Sequence, residues 1–199
     1  MRFGILFIGY VSLFICKGVD IFPDIIAYII IFIALMRLSE YNINFKKAKL
    51  TLYPLMVTTA TNDTLQILKY FKYENIFLNN MLYTINLVIF IIYIYFLFKG
   101  IYELADEVGR TKIAASAKRN WYIVLIYTVI SIIIKLEIPE IKSLSMYYGL
   151  LYFISGLLWI ILSASMIFSC YMWICREGDE DMVIKTNNKK NKVKSNRGE

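Results

Sequence analysis

The chain contains no histidine. That absence removes Ser–His–Asp and Cys–His nucleophile systems and most zinc and haem ligation. Proline and cysteine are scarce, with three of each in 199 residues. The cysteines, Cys16, Cys170 and Cys175, form no CxxC pair. Cys16 and Cys170 lie in apolar runs and Cys175 at the end of one, so they read as small core residues rather than disulfide or metal partners. There is no P-loop and no GxGxxG. Ser155 precedes Gly156, but Phe153 stands where a nucleophile elbow requires its first glycine. The acids at 177–181 lack the ligand spacing of an EF-hand. These absences predict a non-enzymatic chain with no metal and no cofactor.

Apolar residues are what the chain has in excess. They make up 59% of it, with 16% aromatic and a mean hydropathy of +0.58, whereas soluble domains run nearer about 45–50% apolar. Several runs approach or exceed the ~20 residues needed to cross a bilayer as a helix. The Ile/Leu/Phe runs are continuous and do not alternate, which excludes a β-barrel. The expected fold is all-α, an integral membrane bundle of about six transmembrane helices occupying 1–177. The spans fall near 3–18, 21–38, 50–71, 78–98, 121–136 and 146–174. The first could instead be a signal peptide, since Arg2 precedes an apolar core, but no small-x-small cleavage site follows. In the second, Pro23 suits a first helical turn, and Asp20 and Asp24 sit by the positive end of the helix dipole.

Two segments lie outside the spans. In 99–120, Ile101, Leu104, Ala105 and Val108 recur at helical spacing, with Glu103, Asp106 and Glu107 mostly on other faces. This predicts an amphipathic cytoplasmic segment, either a membrane-surface helix or a helical hairpin, broken at Gly109. It is also a candidate docking surface for a protein partner. Residues 178–199 are too polar to bury a core, which predicts a disordered basic cytoplasmic tail. Its Lys185, Lys189, Lys190, Lys192, Lys194 and Arg197 are expected to contact lipid headgroups. No aromatic platform accompanies that charge, so no nucleic acid is expected.

The third span needs justification, because it contains "TTATNDTLQ" at 58–66, with seven polar side chains in nine. Charge placement decides the matter. With six spans and both termini cytoplasmic, 17 of the 22 Lys and Arg fall inside and 5 outside. If this segment does not cross, the division is 13 to 9. Crossing has a cost, because an Asp at the centre of a span is unfavourable by about 2.5–3.5 kcal/mol. Asp63 lies past the middle, toward the outer side, which lessens it. Thr58, Asn62 and Gln66 repeat every four residues, flanked by Thr59 and Asp63, so they share one helical face. That face should point into the bundle. It reads either as a hydrogen-bonded seam, engaging Asn86 of the fourth span, or as a polar pocket or ion path centred on Asp63. With Asp63 the only acid clearly within a span, no intramembrane carboxylate pair is expected. In the sixth span Gly149, Gly156, Ser163 and Cys170 recur every seven residues, a seam of small side chains where another helix can approach, in this bundle or in a second copy.

The stretch "DIFPDIIAYIIIFIALMRLSEY" (20–41), followed by Lys46 and Lys47, and "GIYELADEVGR" (100–110) resemble a group of small multi-pass membrane proteins of low-GC Gram-positive bacteria. The Ile-, Lys-, Asn- and Tyr-rich composition fits an AT-rich genome. The resemblance implies a multi-pass fold in the bacterial cytoplasmic membrane. It carries no activity and no site residue to this chain. The function expected first is that of a non-enzymatic interaction or regulatory subunit. The alternative is a small ion- or solute-coupled transporter that uses the polar face of the third span.

Overall fold

The computed structural model describes residues 2–18, 24–70, 76–135 and 145–174. All regular structure among them is helical: α1 (Arg2–Gly18), α2 (Asp24–Leu38), α3 (Ile43–Tyr70), α4 (Ile76–Glu107), α5 (Thr111–Lys135) and α6 (Ser145–Trp173). Each helix packs on its neighbours in sequence, and α6 returns to pack on α1. The six therefore close into a ring.

The closure follows from side-chain placement. Every helix turns a stripe inward, exemplified by Leu6, Ile31, Leu52, Ile94, Val124 and Ile167, all fully buried. The outer faces are also apolar, with Ile8, Ile33, Val57, Ile126, Ile161 and Phe168 all exposed. At two helix contacts glycine leaves room for the neighbouring helix. A Cβ on Gly9 of α1 would lie 2.6 Å from Ile31 Cγ1 and 3.1 Å from the Ile31 backbone nitrogen. One on Gly100 of α4 would lie 2.9 Å from the Phe45 ring of α3.

Two stretches, Asn80–Glu107 and Ile154–Trp173, are long and apolar enough to cross a membrane. The other helices fall short of that measure for visible reasons. α1 and α2 have 17 and 15 residues. α3 carries the polar face, and α5 begins with Lys112, Lys118 and Arg119.

The helices also overrun the expected spans at one end. α3 starts seven residues before position 50, because "NFKKAK" is helical. Asn42 caps it, its Oδ1 accepting the Asn44 N–H at 2.7 Å. The amphipathic segment 99–120 is the top of a helical hairpin rather than a separate helix: α4 runs through Glu107 and α5 starts at Thr111. Gly109, at φ 75°, makes the reversal. The Arg110 N–H reaches Ala105 O at 2.8 Å and the Gly109 N–H reaches Asp106 O at 3.0 Å. Those two bonds form a Schellman motif, which favours glycine at the left-handed position.

Candidate functional site

The interior of the ring is aromatic in the middle and polar on the α3 side. Trp159 of α6 lies edge-on to Tyr10 of α1 at 6.5 Å. It also meets Phe90 of α4 and Tyr127 of α5, both at 5.9 Å. Tyr93 stacks beside Phe90 at 6.2 Å. Five helices thus send chemistry inward, and several of the polar tips lack partners. The hydroxyls of Tyr10 and Tyr93, Trp159 Nε1 and Ser163 Oγ are buried without a hydrogen bond among the described residues. So are Thr59 Oγ1, Asn62 Oδ1 and Asp63 Oδ2 on α3. A buried polar group with no partner costs free energy, by about 1–3 kcal/mol from mutational data. Seven such atoms therefore sit within an otherwise apolar ring interior.

Asp63 has a defined setting. The Ile25 N–H, in the first turn of α2, lies within electrostatic reach of its carboxylate. The positive end of the α2 dipole thereby faces a negative side chain. Asp24 and Tyr28 of α2 lie within electrostatic reach of the same carboxylate. Among the described residues no Lys or Arg acts on it. Asp63 therefore feels a second carboxylate from another helix. Asp24 opens α2, and ring closure brings that helix start down beside Asp63.

The predicted polar face divides in two. Thr58 Oγ1 lies 3.1 Å from Asn86 Oδ1 of α4, joining α3 to α4. Thr58 has one proton to give, and Leu55 O lies 3.0 Å away. With the Asn86 amide turned over, its Nδ2 donates to Thr58 while Thr58 donates to Leu55. Thr59 is buried at 2% exposure and Asn62 and Asp63 are half-buried. The face is therefore neither fully paired nor a wide open cavity. Gln66 lies on the same helix, with its side chain outside the described residues.

In α6, Ser163 and Cys170 are fully buried. Gly156 faces the Tyr127 ring, where an added Cβ would meet an ordinary 3.4 Å contact. The surroundings of Gly149 and the side chain of Cys16 lie outside what the structure describes, as do Cys175 and the tail with Lys185, Lys189, Lys190, Lys192, Lys194 and Arg197. Among the described residues no group of three or more Cys, Asp or Glu is placed to hold a metal.

Sequence reasoning missed several of these residues. Tyr10, Tyr93 and Trp159 look like ordinary members of apolar runs, though their polar tips demand partners when buried. The count of 16 tyrosines against 13 phenylalanines was the available signal. Glu103 was also missed as an anchor. Its Oε2 accepts hydrogen bonds from Asn42 Nδ2 at 2.9 Å and Asn44 Nδ2 at 2.7 Å. In comparisons with protein families, curated proteins and solved structures, the chain matches none.

Proposed function

We propose that the chain is a six-span protein of the bacterial cytoplasmic membrane, both termini cytoplasmic, whose polar interior binds and passes a small cation or cation-coupled solute at Asp63. Three features support the span assignment. The ring is apolar on its outside. Contacts of Phe3 with Phe45, Lys47 with Phe96 and Arg110 with Trp173 gather the start of α1, the α2–α3 and α4–α5 turns and the end of α6 at one end. That end carries Arg37, Lys46, Lys47, Lys49, Arg110 and Lys112, the pattern of a cytoplasmic face.

The single observation that carries the transport reading is the buried Asp63 Oδ2, without a hydrogen bond among the described residues and within electrostatic reach of Asp24. Two carboxylates in a partly dehydrated site repel unless a proton or cation lies between them. Intramembrane acids facing a bundle interior mark ion and proton paths. Thr59 and Asn62, on the same face of α3, supply oxygen ligands or hydrogen bonds of the kind a hard cation or polar solute takes.

Reconstitution of the full chain in liposomes tests this. Flux of protons, sodium or potassium should appear with the parent chain and be lost with Asp63→Asn. Equal flux in both removes Asp63 from the path. No flux in either returns the chain to the second reading, an interaction subunit. That reading is favoured by the α4–α5 hairpin, whose tip exposes Tyr102, Asp106 and Glu107.

A further inference from the structure

A second site lies far from Asp63, between the start of α5 and the end of α6. The two helices diverge there around a half-open cavity of about 550 Å³. From α6 it is lined by Leu162, Ser165, Met166, Ser169 and Trp173, one face of the helix, about 16 Å long at 1.5 Å per residue. Small serines on that face and Ser116 opposite leave the space. Asn120 closes the region behind it, its Nδ2 donating to Leu162 O at 3.0 Å.

The lining has one sign of charge. Arg110, Lys112 and Arg119 face the cavity, and among the described residues no Asp or Glu does. None of the three cations is in an ion pair among the described residues. Arg110 instead rests over the Trp173 ring, Cζ 5.1 Å from the centroid, a cation–π contact that holds a guanidinium without neutralising it. The N–H groups of Thr111 and Lys112 open α5 and make no hydrogen bond to another backbone carbonyl among the described residues. They add the positive end of a helix dipole to the same opening.

We propose that this cavity is a binding site for a phosphate group, presented by the headgroup of an anionic phospholipid or by a free phosphate. A fork of guanidinium donors, an ammonium and exposed backbone N–H groups suits tetrahedral oxyanions. Apolar walls at Ile113, Leu162 and Met166 suit an amphiphile's glycerol and upper chain, and basic pockets between membrane helices on the cytoplasmic side take such headgroups. The lipid source rests on the span assignment proposed above. The phosphate chemistry does not.

The test uses the full chain and the emission of Trp173, whose ring senses Arg110. One arm adds inorganic phosphate to detergent-solubilised protein. The other titrates phosphatidylglycerol into phosphatidylcholine vesicles holding the protein. A saturable change that Trp173→Phe abolishes is expected in at least one arm, and the responding arm identifies the source. Replacing Arg110, Lys112 and Arg119 with Gln should weaken binding about tenfold or more. Lys189→Gln with Lys190→Gln should change it by less than about twofold if the cavity, not diffuse tail charge, holds the ligand. If the triple variant fails to fold, Lys112→Gln alone, at an exposed position, carries the comparison. Unchanged affinity in the cavity variants, or loss only in the tail variant, overturns the proposal. So does a parent chain that answers neither probe but shifts its emission when Asp179, Glu180 and Asp181 are neutralised, since the chain's own acidic segment would then fill the cavity. Asp63→Asn should bind both probes as the parent does, which separates failure here from failure of the transport reading.

Discussion

Glu103 Oε2 accepts a hydrogen bond from Asn44 Nδ2 at 2.7 Å, across 59 residues of sequence. The same oxygen takes Asn42 Nδ2 at 2.9 Å, while Asn42 Oδ1 caps α3. One carboxylate therefore locks the start of α3 to the last turns of α4, beside the Gly100–Phe45 contact. Asn44 is buried, so removing its acceptor leaves a donor with no partner. Glu103→Ala should destabilise the fold by about 1–3 kcal/mol. Glu103→Gln keeps an acceptor oxygen and should lose less. Thermal unfolding in detergent compares the three; three equal midpoints would show that the tie contributes nothing.

The glycines make a second, opposed pair of expectations. Gly9→Ala drives a methyl group against Ile31 side chain and backbone, and overpacking of that kind costs about 1–3 kcal/mol. Gly156→Ala adds a methyl at ordinary contact distance from Tyr127 and should stay within about 0.5 kcal/mol of the parent. Denaturant titration of both variants checks the order. The reverse order would place the tightest helix approach on α6 after all.

Asp63 has two jobs that substitution separates. Asp63→Asn retains an oxygen facing the start of α2, so the fold should survive while cation flux disappears. Asp63→Ala removes the acceptor from the start of α2 and should also cost about 0.5–2 kcal/mol, as loss of a helix cap does. Melting curves set beside flux data show whether stability and transport part company. If Asn melts as early as Ala, the charge matters more to the fold than the retained oxygen.

The membrane arrangement is open to direct labelling. In a chain whose native cysteines are replaced, single cysteines at positions 75 and 110 should react with an impermeant thiol reagent from opposite sides of the membrane. Reaction of both from one side would remove the third or fourth crossing.

Much of the helical plan was legible because it rests on local quantities. Apolar runs, Gly109 and the charge run at 110–119 mark helices and their breaks through transfer energy and backbone conformation alone. The Thr58–Asn86 contact was also foreseeable, since each is the polar interruption of an apolar helix. The extent of the helices was less so. Lys46, Lys47, Lys112 and Lys118 looked like loop charge, yet long basic side chains ride on helix ends while their charged heads reach water.

The candidate site was half legible. Spacing along α3 grouped Thr58, Thr59, Asn62 and Asp63, because a helix repeats every 3.6 residues whatever surrounds it. Nothing local could bring Asp24 to Asp63, Tyr10 to Trp159, or Glu103 to Asn42 and Asn44. Those pairs come from different helices, and their meeting depends on how the ring closes.

Periodicity and the cost of burying polar groups suffice for the helices of the described residues, for the inward polar face of α3 and for the gathering of basic residues in a few segments. The return of α6 to α1, the meeting of Asp63 with the start of α2 and the opening of Arg110, Lys112 and Arg119 on one cavity arise in the packed fold. Packing of distant helices sets those relations, through close approaches such as Gly9 on Ile31, which no single stretch of sequence encodes.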